Sequence, residues 1–171
     1  MFPAKTLKLR SALCGRLLKV NFMSKQAQAE LILKLYELRT DEKLRAARHW
    51  YSTGFNPQSA REIAMLMASG NRSSADYRMV TTYWEMACAF VLFEAIDESF
   101  FHRTQTEYLA VFAKLEPFIG ELRQLFGEPN YLESLEKVAR SAPNAEEYFV
   151  KIRGLMNRWA EAEKSENDNR N

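Results

Sequence analysis

The stretch from Ala75 to Ile96, ADYRMVTTYWEMACAFVLFEAI, constrains the fold of this chain most, because no other segment is so apolar for so long. Between Tyr83 and Phe93 its one charge is Glu85. A helix apolar on nearly every side has to be surrounded by other elements, since a face left in water forfeits its burial. The stretch therefore predicts a buried central helix. Arg78, Thr82 and Glu85 make its least apolar stripe, and Glu85 is expected to be partly exposed or salt-bridged.

Met79 to Ile96 is 18 residues, close to the shortest helix that can cross a bilayer. Glu85 and Glu94, with Thr81 and Thr82, argue against a span. An ionised carboxylate near a bilayer centre costs at least about 2.5 kcal/mol, and two offset much of the apolar gain. A soluble core helix is the reading that survives.

A chain of 171 residues fits one domain and needs no disulfide or metal to fold. Six Gly, five Pro and 47% hydrophobic residues, with no Asn-Gly or Asp-Gly hairpin signal, favour helices. The two cysteines, Cys14 and Cys88, lie far apart and read as reduced thiols in a cytoplasm. The fold class is all-α: a single-domain bundle of about six to seven helices around residues 75–96, with a Pro-kinked helix over 105–126 packed on it. Three stretches follow: a basic leader at 1–22, a helical domain at 23–163, and a disordered tail at 164–171 that lacks any apolar residue.

Residues 1–22 hold Lys5, Lys8, Arg10, Arg16 and Lys19 and no acid, which leaves the remainder at a net of −3. That balance lacks the broad positive field behind non-specific nucleic-acid binding. Met23-Ser24-Lys25-Gln26 resembles an ordinary bacterial start, so 1–22 reads as a start-site extension or a disordered leader. The same residues also read as a basic amphipathic segment, with Leu9, Leu13, Leu17 and Val20 on one helical face; membrane contact is possible only through them.

Periodicity and caps place the other helices. Ala27, Leu31, Leu35 and Leu38 seam a helix over 24–38, and Leu44, Ala47 and Tyr51 the next, which starts at Thr40 or Asp41; one long helix through both is the alternative. Asn56-Pro57 opens a third, closed by Gly70-Asn71. Ser73 with Asp76, Thr104 with Glu107, and Asn130 with Glu133 read as helix-start pairs. Tyr108, Phe112, Leu115, Ile119, Leu122 and Phe126 hold an unbroken seam with Pro117 inside it. Asn144 opens the last helix, with Tyr148, Ile152, Leu155 and Trp159 as its core seam.

Chemistry is scarce. Of the two histidines, His102 forms Glu98-x3-His102, one residue longer than the Glu-x2-His of di-iron helices, and no second copy exists. No Gly-rich phosphate loop or Gly-x-Ser-x-Gly elbow occurs. Arg45-Ala46-Ala47-Arg48-His49 invites comparison with the helical HEPN-type ribonucleases, whose Arg-to-His gap is wider, and Trp50 and Tyr51 beside it could stack on bases. The plainer reading makes Arg45 and Arg48 a solvated face over a packed Trp50. Pro57 to Val80 superficially offers a helix-turn-helix, but its second helix is too apolar to read base edges.

TTYWEMACAFVLFEAIDESFF and the following LAVFAKLEPFIGELR resemble a family of uncharacterised bacterial all-helical domains of unknown function. The likeness covers about Leu31 to Arg158. It implies an all-helical fold and carries no activity, cofactor or site residue onto Trp84, Glu85, Asp97 or Arg123. Many members resemble cytoplasmic parts of membrane-tethered proteins, and this chain departs from them in lacking a clear N-terminal span.

The function expected is therefore a protein-interaction or regulatory module in the cytoplasm, without catalysis, metal or cofactor. The alternatives are a nucleic-acid-binding or ribonuclease-like protein using Arg45 to Tyr51, and a peripheral membrane protein through residues 5–20. Interaction predicts an exposed apolar patch. Nucleic-acid binding predicts a contiguous positive surface from Lys34, Arg39, Lys43, Arg45 and Arg48.

Overall fold

The computed structural model describes residues 24–168, with side chains as far as Arg158. The expectations for 1–22 and for the end of the tail at 169–171 lie outside the described residues. The elements are α1 (Lys25–Thr40), α2 (Glu42–Thr53), α3 (Ala60–Ser69), α4 (Arg72–Leu92), α5 (Glu98–Thr104), α6 (Glu107–Leu115), a 3-10 turn (Glu116–Phe118), α7 (Ile119–Phe126), α8 (Glu133–Ser141) and α9 (Ala145–Asp168). No strand occurs among the described residues. The domain is an all-α bundle.

The long apolar stretch is α4, and it is central. It packs against α2, α3, α6 and α8, while α9 lies across α2, α6 and α8. Trp84 and Tyr77 are fully buried in it. Tyr83 meets the Trp84 ring edge-on at 4.9 Å, and Tyr108 of α6 approaches the same ring at 6.1 Å. Water reaches the middle of α4 along one line, Ala75, Arg78, Thr82 and Met86; Arg78 and Thr82 belong to the polar stripe its sequence displays, whereas Glu85 is half-buried and turned to α8.

The Asp41 start of α2 is as expected, and several other helix ends differ. Asp41 separates α1 from α2, its Oδ1 accepting the N–H groups of Lys43 and Leu44. α3 starts at Ala60, later than Pro57, because Ser59 is the better cap: its Oγ accepts Glu62 N–H at 3.2 Å while Glu62 accepts Gln58 N–H at 2.9 Å. Asn71, rather than Ser73, caps α4 through Ser74 N–H at 2.9 Å, and Asp76 turns back to Arg72. The Thr104–Glu107 box does not form. Thr104 closes α5, its hydroxyl donating to Phe100 O at 2.9 Å, and Glu107 is taken by arginines. At Pro117 the run over 105–126 is two α segments joined by the 3-10 turn.

Two apolar seams are also shifted. In α1, Ile32 and Leu35 are buried and Leu38 is exposed, because apolar residues surround that helix and leave its phase ambiguous. In α9, Phe149 and Met156 are buried and Tyr148 and Ile152 are half-buried; the Trp159 side chain lies outside the described residues. α9 continues through Asp168, past Lys164, where the sequence pattern places a disordered tail.

Candidate functional site

Arg45 to Tyr51 lies on α2, which packs on α4 and α9. Its residues are divided between core and surface. Tyr51 is fully buried and donates its hydroxyl hydrogen to Val111 O at 3.0 Å. Trp50 packs on Phe55 at 5.5 Å between ring centres, and a Cβ at Gly54 would come within 2.9 Å of the indole. These aromatic rings belong to the packing, so base stacking from Tyr51 is closed off.

Arg48 is held as firmly. Its Nε and Nη2 grip Glu107 of α6 at 2.6 and 2.5 Å, and its Nη1 donates to Arg39 O at 3.2 Å. Arg39 adds a second cation on Glu107 at 3.2 Å, bonds Gln105 at 2.8 Å, and lies 5.5 Å over the Trp84 ring. Lys34 pairs with Glu37 at 2.8 Å. The contiguous positive surface of Lys34, Arg39, Lys43, Arg45 and Arg48 is therefore not assembled. Arg45 and His49 stand at a groove of about 690 Å³ between α2, α6 and α9, floored by Ile152 and Met156.

Three polar contacts link one helix to another. The Glu85 carboxylate reaches α8, where its oxygens accept Ser134 N–H at 3.0 Å and Leu135 N–H at 2.8 Å. Leu132 occupies the N-cap position there at φ 53°, with no side-chain oxygen to offer. Glu85 supplies that oxygen from another helix, which is why neither Asn130 nor Glu133 serves. Lys114, buried on α6, donates to the carbonyls of Tyr51 at 2.8 Å, Ser52 at 3.0 Å and Phe55, closing the end of α2. Burial pushes its amine down to about 8. His102 Nδ1 is 2.5 Å from the Tyr108 hydroxyl, which joins α5 to α6, while its Nε2 lies 3.6 Å from Glu98 of its own helix and makes no hydrogen bond. No group of His, Cys, Asp and Glu among the described residues is arranged to hold a metal ion.

A different surface emerges at the α4–α5 turn. α4 ends at Leu92, short of Ile96. Glu94 N–H bonds Val91 O at 2.9 Å and Ala95 N–H bonds Phe90 O at 2.8 Å, with Glu94 left-handed at φ 57°. This is the Schellman arrangement, with glutamate where glycine is usual. The reversal throws Phe93 outward. It is 84% exposed, and Leu92 beside it is exposed too. Next to them runs a groove of about 350 Å³ lined by Gln28 of α1 with Val91, Leu92 and Ile96, rimmed by Glu94, Asp97 and Glu98. Gln28 Oε1 accepts Asp97 N–H at 3.0 Å and so fixes α1 to the turn. Sequence reasoning carried the apolar run through this turn; the absence of Gly or Pro from it concealed the reversal.

An all-helical domain, clamped internally by charged side chains and open at one apolar turn, is the class that fold and surface define. Residues 25–142 match the family described as Domain of unknown function (DUF4760), and this chain belongs to that family. The matched span takes in α1 through α8 and ends at Ala142, before α9. No curated protein and no solved structure matches the chain. No helix among the described residues is long and apolar enough to cross a membrane.

Proposed function

We propose that this chain is a bacterial, cytoplasmic protein-interaction domain with a regulatory role, and that it docks its partner at the α4–α5 turn. One observation carries the reading: a phenylalanine 84% exposed, held out by a left-handed glutamate. A non-glycine residue in that conformation costs about 1 kcal/mol, and such strain gathers at functional positions. Phe93 and Leu92 supply the apolar anchor, and Glu94, Asp97 and Glu98 supply a polar rim, the usual division of a docking patch. Elsewhere Arg39, Arg48, Glu85, Glu107 and Lys114 are engaged in holding helices together, and within the rim Glu98 also meets His102 and Ser141. The buried thiol of Cys88 suits a reducing compartment.

Affinity capture from the native host tests this with the wild-type chain beside Phe93→Glu and Arg45→Glu. The expected result is a set of proteins retained by wild type and by Arg45→Glu but lost with Phe93→Glu. A set indifferent to Phe93→Glu overturns the turn as the docking surface. Nucleic acid recovered in a salt-sensitive, Arg45-dependent way overturns the protein-interaction reading as a whole.

A further inference from the structure

We infer that residues 1–22 of this chain cover the α4–α5 turn themselves, so that the docking surface is occupied by a built-in segment until a partner displaces it. The inference rests on the reading of that turn as a docking surface and names its resting occupant.

Position comes first. α1 starts at Lys25, and its first residues wall the site: Lys25 and Gln28 line a pocket of about 360 Å³ with Asp97 and Phe100, and Gln28 also lines the neighbouring groove. Residues 1–22 therefore join the domain at the rim of the surface. A segment tethered so closely is present at an effective concentration on the order of millimolar, so even weak contacts suffice to hold it.

Charge is the second argument. Residues 1–22 carry Lys5, Lys8, Arg10, Arg16 and Lys19 and no acid, whereas the turn presents Glu94, Asp97 and Glu98 within five residues of sequence. The rest of the chain carries a net negative charge, and opposite charges facing each other both steer the segment and set its register. Apolar matching is the third. Leu9, Leu13, Leu17 and Val20 recur at helical spacing, and the turn offers Leu92 and Phe93 with Val91 and Ile96 behind them. The pattern is an amphipathic segment laid on an apolar groove with complementary charge at its edges.

The test uses the complete 171-residue chain with a nitroxide spin label on Cys14; the other cysteine, Cys88, is buried. Paramagnetic broadening of backbone amide signals is read across the domain. The expected result is strongest broadening at Gln28 and at Val91 to Glu98, weakened by added salt, by Glu94→Lys and by Arg16→Glu with Lys19→Glu. Broadening that is absent from the turn, or no stronger there than on α3 and α7, overturns the inference. So does broadening at the turn that ignores salt and both charge reversals. A segment that binds anionic vesicles while the turn amides stay sharp overturns it in favour of a membrane surface, and a native N-terminus found by mass at Met23 overturns it outright. Phe93-dependent capture of partners with no broadening at the turn removes the self-docked segment alone; loss of both results removes the docking surface as well.

Discussion

Arg48 and Glu107 face each other across α2 and α6 through two near-parallel hydrogen bonds of 2.6 and 2.5 Å, 59 residues apart in sequence. The forked geometry is the strong form of an ion pair. The pair is about one quarter exposed on each side, so solvent screening reduces its worth below that of a fully buried one. Glu107→Ala leaves Arg39 and Arg48 facing one another without a counter-charge, and we expect a loss of about 2 kcal/mol. Urea unfolding of both single variants and the double variant Arg48→Met with Glu107→Leu checks this. The double variant should recover part of the loss; simple additivity of the single losses refutes the coupling.

Glu85 acts on α8 as a cap borrowed from α4. Glu85→Gln keeps the size and one acceptor oxygen but removes the charge that favours a helix N-terminus, and should cost about 1 kcal/mol. Glu85→Ala should cost more, and its effect should appear in hydrogen exchange at Ser134 and Leu135 before the rest of the domain. Uniform protection losses across all helices would show that the contact is not a local cap.

Lys114 makes a pH-dependent contribution whose sign follows from its burial. Burial pushes the native amine down to about 8, below the ordinary lysine value of 10.5, so between those values the unfolded chain binds the proton more tightly. Unfolding free energy therefore rises with pH across that window. Above about pH 10 the buried tyrosines Tyr51 and Tyr77, whose hydroxyls burial pushes up, pull the other way as their unfolded counterparts ionise. Between about pH 8 and about pH 9.5 the slope should be more positive in wild type than in Lys114→Met, where the Cys88 thiol, pushed up by burial, leaves stability falling with pH as its unfolded counterpart ionises. The same slope in both proteins assigns it to another group. At pH 7 the variant should be less stable by about 2 kcal/mol, because three carbonyls lose their donor.

Trp84 lies fully buried at the centre of the bundle, and Trp84→Ala should cost about 3 to 5 kcal/mol. Its indole N–H is buried without an acceptor, so Trp84→Phe removes an unmet polar group as well as volume and should cost distinctly less. Chemical denaturation measures both. A change under about 1 kcal/mol for Trp84→Ala means the core is centred elsewhere.

Glu94→Gly tests the strain at the turn. Glycine occupies the left-handed region without steric penalty, so the variant should gain about 1 kcal/mol less the entropy glycine loses on folding. Thermal unfolding reports the net, and a loss of stability means that the Glu94 side chain holds the turn together.

Much of the bundle was legible in sequence because burial has a signature. The apolar run around Trp84 was long enough to declare itself central, and Tyr108, Phe112, Leu115, Ile119 and Leu122 fell on their seam and are buried. α1 was misphased because Leu33, Tyr36 and Leu38 surround it with apolar side chains that periodicity cannot rank. The cap reading misled where the acid had a better partner in space: Glu107 looked like a local cap and is a partner of α2. Glu85 is half-buried, within the expectation of a partly exposed residue, but its role as the cap of α8 was not foreseen; both contacts escape because local spacing is blind to partners 50 to 60 positions away. Lys114 carried a faint signal as the lone cation in an apolar run. Phe93 carried none, because exposure at a reversal depends on a left-handed residue that side-chain type alone does not announce.

The amine that closes α2 bears on how the chain is made. Lys114 lies 63 residues after Tyr51, so a ribosome has delivered all of α2, α3, α4 and α5 before the donor for those carbonyls exists. Until then the end of α2 is satisfied by water, and α4 has no α6 or α8 to lie against. The nascent chain therefore spends much of its synthesis with its most apolar helix covered by α2 and α3 alone, the stage at which chaperone capture has the most to protect.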